Sequence, residues 1–145
     1  MNDYVVPLAV SVLLIALCLY LHFRALRMGA IRISEIDNNF RYPVLVVMML
    51  IFITHLIEIM FFAIAFWGMA LAGTGKLVGA HTSTAADYFY FSIASYTTLG
   101  IGDITPEGSM RLVAGIEALT GLLLIAWSAS FTYLTMERVW TPQKN

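Results

Sequence analysis

The chain has 145 residues, 60% of them hydrophobic and only 12% charged, with a formal net charge of −1. Its mean hydropathy of +0.82, concentrated in three long apolar runs, excludes an ordinary soluble domain and points to an all-α integral membrane protein in contact with a lipid bilayer. The charge balance offers nothing to nucleic acid. The single cysteine, Cys18, excludes an intrachain disulfide.

The first apolar run extends from Tyr4 to about Leu21 and is long enough to cross a bilayer. A cleaved signal peptide would need a positive leader and a small-residue cleavage site. Here only Asp3 precedes the run, whereas Arg24 and Arg27 follow it, so we expect a retained transmembrane helix over residues 4–26 with its N-terminus outside. His22 to Tyr42 is the most polar stretch, with Arg24, Arg27, Arg32 and Arg41 set against Glu35 and Asp37. An arginine excess in a short segment marks residues 27–42 as a cytoplasmic connector. Ile31, Ile33 and Ile36 could rest on the membrane surface, or the segment could be a plain solvated link. Pro43 suits the first turn of a helix, and the run that follows predicts an outer transmembrane helix over residues 43–72. It carries His55 and Glu58, three apart and so on one face.

Gly73 to His81 is a glycine-rich loop, expected outside. Thr84 followed by Asp87 forms a capping-box-like start, and the aromatic stretch behind it is too short to span. It predicts a re-entrant helix over residues 84–97, tolerated in a membrane because protein buries it and it lines an aqueous path. Pro106 and Gly108 make an external turn, and Leu112 to about Leu134, within a last helix over residues 110–137, crosses back. Glu137, Arg138 and Lys144 then lie on the cytoplasmic side with the basic connector, as the positive-inside rule requires. At this length we expect a single domain, with no arginine-rich voltage sensor and no regulatory domain.

Between the re-entrant helix and the last span lies Ser95-Tyr96-Thr97-Thr98-Leu99-Gly100-Ile101-Gly102-Asp103. A dehydrated cation needs a cage of oxygens, which backbone carbonyls supply when successive residues point them one way. That requires left-handed dihedrals at intervals, which Gly100 and Gly102 adopt without side-chain strain. The stretch resembles the selectivity filter of the potassium-channel family, whose usual pattern is Thr-x-Gly-Tyr-Gly-Asp: Thr98, Gly100, Gly102 and Asp103 match, and Ile101 stands in the aromatic position. The likeness to a bacterial potassium-channel pore module covers Pro43 to about Arg138, with the first helix as an addition.

The resemblance implies a homotetramer in the cell (inner) membrane. Thr98, Leu99, Gly100, Ile101 and Gly102 would form an ion-binding filter over residues 98–103, with potassium at its carbonyls, permeant cations and no other cofactor. It places Asp103 at the outer mouth. Gly121, nineteen residues after Gly102, falls where the family often has a hinge glycine; close helix packing is the alternative for it, as for the other candidate, Gly115. If Gly121 faces the pore, helical spacing puts Leu124 or Ile125, Ser128 and Thr132 on the cavity wall. Tyr90 and Phe91 lie where the family has its aromatic cuff. Ile101 could pack on them but has no hydroxyl, leaving the filter held there by apolar contact alone and opening the alternative of a non-selective monovalent-cation channel. Glu117 is expected behind the filter, bracing it by hydrogen bonds to Ser92, Ser95 or a threonine, with pH sensing as its other possible role.

A reading from a different class makes His55, Glu58 and Glu117 a metal- or proton-handling site in a transporter. The His-x-x-Glu spacing lacks a third ligand motif, and neither a nucleophile nor a phosphate loop accompanies it, so an enzyme is not expected.

Overall fold

The computed structural model describes residues 5–35, 43–79 and 84–140. Three long helices, α1 (Val5–Glu35), α2 (Pro43–Leu71) and α4 (Met110–Trp140), form a bundle. Each is long and apolar enough to cross a membrane, over Val5–Arg32, Val44–Leu71 and Met110–Trp140. Large apolar side chains stand exposed along all three, among them Leu13, Phe52 and Leu119, as expected of surfaces that face lipid or another chain.

The short helix α3 (Ala85–Tyr96) is set into this bundle. Its start is the box expected from sequence: Thr84 Oγ1 accepts from the Asp87 N–H, and the Asp87 carboxylate accepts from the Thr84 N–H at 3.0 Å. Phe91 and Tyr88 of α3 pack into one core with Phe62, Phe66 and Met69 of α2 and with Met110, Val113 and Leu124 of α4. The Phe66 and Phe91 rings meet edge-on at 5.1 Å, a favoured aromatic geometry. Polar side chains on α3 are used up on its neighbours. Ser92 Oγ donates to the Ile59 carbonyl (2.8 Å), and Ser95 Oγ donates to the Ala114 carbonyl (3.0 Å). A helix too short to span is therefore fastened to both helices beside it.

Two departures from the sequence expectation concern the ends of elements. The glycine-rich loop and the external turn pair with each other. β1 (Gly75–Gly79) and β2 (Ile104–Gly108) form an antiparallel ribbon in the register Gly75↔Gly108 through Gly79↔Ile104. The ribbon closes the base of the whole excursion from α2 to α4, and Leu77 and Ile104 bury their side chains in the core. At Gly79 a β-carbon would collide with the Asp103 carbonyl, so the ribbon presses directly on the end of the filter stretch.

The second departure is α1, which does not give way to a connector at residue 27 but stays helical to Glu35. Its lower half has something to bury. Leu26 packs with Val47, Ile51 and Phe131, and Gly29 faces Leu50, Val47 and Phe131 at the distance of ordinary contact. Ile31 is exposed. Ile36, Asp37 and Arg41, like Ala80, His81 and Lys144, lie outside the described residues.

Candidate functional site

The filter stretch begins as the cap of α3. The Leu99 N–H reaches back to the Ala94 carbonyl and the Thr98 N–H to the Ser95 carbonyl, both at 2.9 Å. This is a Schellman closure, which needs a left-handed residue just past the cap. Thr98 fills it with φ of +57°, a region where a threonine is strained by about 1–2 kcal/mol. The left-handed values then recur at every second residue, +55° at Gly100 and +85° at Gly102. In a regular strand successive carbonyls point to opposite sides. Reversing the sign of φ at alternate residues cancels that alternation, so a run of carbonyls can face the same way.

All five residues from Thr98 to Gly102 are exposed in the single chain, Leu99 by 63% and Ile101 by 58%. Behind them a cleft of about 300 Å³ lies between the stretch, α3 and α4, lined by Tyr90, Phe91, Ala94 and Ile101 among others. Asp103 does not hang free at the end. Its Oδ2 accepts from the Tyr90 hydroxyl at 2.9 Å and its Oδ1 from the Ile104 N–H at 3.0 Å. The bond to Asp103 holds the Tyr90 hydroxyl above its ordinary pKa. The expectation of apolar contact alone is thereby corrected: Ile101 lacks a hydroxyl, but Tyr90 supplies one and ties the stretch to α3 at Asp103.

Glu117 is fully buried on α4 against Ser92, whose hydroxyl meets its Oε1, while Oε2 has no hydrogen-bond partner among the described residues. Glu117 does not join the other two residues with which it was grouped. Among the described residues, the His/Cys/Asp/Glu cluster close enough to share an ion is His22, His55 and Glu58.

His22, at the start of the polar stretch and inside the helix expected over residues 4–26, is a partner of Glu58 that the sequence reading does not name. It is fully buried on α1, with Nδ1 3.0 Å from Glu58 Oε1. A usable signal existed. Ser11, Cys18 and His22 repeat at helical spacing, and all three are buried, which marks the inward face of an otherwise apolar helix. Tyr96 was also passed over. Its hydroxyl donates to Glu58 Oε2 at 2.6 Å, joining the last residue of α3 to this cluster.

The cavity residues need correcting. A β-carbon on Gly121 would lie 2.8 Å from the carbonyl carbon of Tyr96. Leu124 and Ser128 are buried, and Thr132, on the same face, is half-buried. This stripe of α4 looks into its own protomer, not into an open cavity. Gly121, from which that face is counted, packs against the end of α3.

The family profile described as "Ion channel" matches residues 44–138. The inward rectifier potassium channel Kirbac3.1 of Paramagnetospirillum magnetotacticum is 27% identical over 114 residues, which cover 77% of this chain and 38% of that protein. The chain thus spans well under half the length of that relative. No solved structure matches. The family match covers α2, the capped helix α3, the left-handed stretch behind it and α4, and on it the chain belongs to the ion-channel family.

Proposed function

We propose that four copies of the chain assemble around one axis and conduct potassium through a filter made of the carbonyls of Thr98, Leu99, Gly100, Ile101 and Gly102, with Asp103 at the outer mouth. The observation that carries this reading is the left-handed backbone at residues 98, 100 and 102. One such strand cannot encircle an ion, and a closed four-fold ring supplies the other three sides. The exposure of Leu99 and Ile101 in the single chain fits surfaces that neighbours cover. The face of α4 with Leu119, Leu122, Leu123 and Ile125, exposed here, is then the one available to the pore and to neighbours. The arginines of α1 set the connector side in the cytoplasm and the N-terminus outside, in the cell membrane. Reconstitution in liposomes with opposed potassium and sodium gradients tests the reading. A reversal potential near that of potassium is expected. One midway between the two ions assigns a non-selective cation pore, and absence of current removes the filter assignment.

Ile101 decides how tightly the filter is braced. The cleft behind it, bordered by Tyr90 and Phe91, has room for an aromatic ring. Ile101→Tyr is therefore expected to raise the potassium-over-sodium permeability ratio or leave it unchanged, read from the same reversal potentials. A clear fall would mean that the cleft is shaped for the smaller side chain.

Glu117 braces the filter from further back. Ser92 has one hydrogen and two acceptors in reach, the Ile59 carbonyl and Glu117 Oε1. With Ser92 donating to Ile59, the second contact is complete when the carboxyl carries a proton and donates it to Ser92. Glutamine can make that bond through its amide, and leucine cannot. Glu117→Gln should keep the melting temperature of the detergent-solubilised tetramer, while Glu117→Leu should lower stability by about 1–3 kcal/mol per chain. Equal melting of leucine variant and wild type would remove the brace.

A further inference from the structure

The His22–His55–Glu58 cluster is not needed by a carbonyl filter, and it is built like a ligand set. His22 Nδ1 lies 3.0 Å from Glu58 Oε1 and His55 Nδ1 lies 3.0 Å from Glu58 Oε2. One donor atom of each residue falls within 4.8 Å of the others. Side-chain exposure is 0% for His22 and Glu58 and 16% for His55. The Tyr96 hydroxyl, 2.6 Å from Glu58 Oε2 and 2.9 Å from His55 Nδ1, is a fourth oxygen in reach.

The outer nitrogens of both imidazoles are also arranged as they would be around a bound cation. Ser128 Oγ lies 3.0 Å from His55 Nε2 and 3.1 Å from His22 Nε2. If both Nδ1 atoms carry hydrogens toward Glu58, both Nε2 atoms are bare lone pairs facing a hydroxyl with one hydrogen, and one stays unsatisfied. If a cation replaces the two Nδ1 hydrogens, both rings carry Nε2–H and both donate to Ser128 Oγ, which has two lone pairs. Fixing the far nitrogen of a metal-bound histidine by an acceptor is the usual outer-shell arrangement.

We propose that His22 Nδ1, His55 Nδ1 and Glu58 bind one divalent transition-metal cation of the zinc class in each protomer, with the Tyr96 oxygen as fourth donor. Two imidazoles with a carboxylate suit zinc, whereas calcium and magnesium require oxygen donors throughout. A Glu58 carboxylate together with a Tyr96 phenolate cancels the charge of a divalent ion, as a membrane interior demands. The ion joins α1 to α2, to the last residue of α3 and, through Ser128, to α4. It thus staples the additional helix to the base of the filter stretch. The site does not depend on the conduction reading.

The test uses the full-length protein in detergent, stripped with a chelator and titrated with Co²⁺ as a spectroscopic stand-in. Saturation at one Co²⁺ per chain, with the strong visible bands of a four-coordinate site that Zn²⁺ bleaches, is the expected result. Ser128→Ala should weaken binding by about 10–100-fold, and His22→Gln and Glu58→Gln should weaken it further. The wild-type titration decides even if a variant fails to fold. A correctly assembled wild type that gains no such bands overturns the proposal. Undiminished binding in well-folded His22→Gln or Glu58→Gln chains overturns it as well.

Discussion

Gly102→Ala and Gly100→Ala channels are expected to assemble but to conduct no measurable potassium. The reason lies in the backbone. Alanine at a left-handed φ costs about 1–2 kcal/mol, and a four-fold filter repeats that cost in each chain, about 4–8 kcal/mol for one ring of carbonyls. Among the described residues nothing stands within 4 Å of a β-carbon added at Gly100, and at Gly102 only the Gly100 carbonyl oxygen lies at 4.0 Å. The effect in the single chain is therefore conformational and not a clash. The two positions differ in what holds them. The Gly100 N–H still reaches the Ala94 carbonyl at 3.3 Å, as part of the closure of α3. Among the described residues Gly102 has no such tie, so alanine there can escape the strain by turning to a right-handed φ, which swings a carbonyl off the axis. Gly102→Ala should thus be the more complete loss. Thr98 shows the same physics from the other side, since its left-handed φ is enforced by two hydrogen bonds of the helix cap. Potassium flux into liposomes, normalised to tetramer content, is the measurement. Wild-type flux from either variant would mean that the carbonyls of this stretch do not line the path.

What could be read from the sequence was local. The box of Thr84 and Asp87 spans four residues, and the glycines of the filter stretch stand where the dihedrals demand them. The spans follow from length and hydropathy. What could not be read depends on which surfaces meet. Leu77 and Ile104 pair strands separated by the whole re-entrant excursion, with no local turn between them to signal a hairpin. The helical extension of α1 to Glu35 is decided by contacts of Leu26 and Gly29 with α2 and α4, which a polar-looking segment does not advertise. On α4 the difficulty is sharper. It is apolar around most of its circumference, so Ser128 and Thr132 look like a wet face. In a membrane such groups turn toward protein partners, and here Ser128 finds His22 and His55. His22 was hidden for a related reason: standing at the end of an apolar run and followed by arginines, it reads as the start of a polar stretch and not as part of a buried face.

Gly121 separates the two readings of α4 most sharply, and Gly121→Ala is expected to lower the stability of the protein severely instead of altering its gating alone. A β-carbon there would lie 2.8 Å from both the carbonyl carbon and the ring Cγ of Tyr96. The obstacle is backbone at the end of a capped helix, which cannot rotate aside as a flexible side chain does. Forcing such a site open costs about 1–3 kcal/mol per chain. The displacement has nowhere harmless to go. Moving Tyr96 away from α4 strains its hydroxyl contact with Glu58 and shifts Thr97 and Thr98, from which the filter stretch begins. Gly68 supplies the control, because among the described residues nothing lies within 4 Å of its added β-carbon in α2. Alanine there should be neutral or stabilising by up to about 1 kcal/mol from helix propensity. Thermal melting of both variants in detergent, together with flux, distinguishes the cases. A hinge glycine replaced by alanine leaves melting intact and changes only the open probability. A packing glycine replaced by alanine lowers the melting temperature and the flux together, because the atom it displaces is the carbonyl end of the helix that carries the filter.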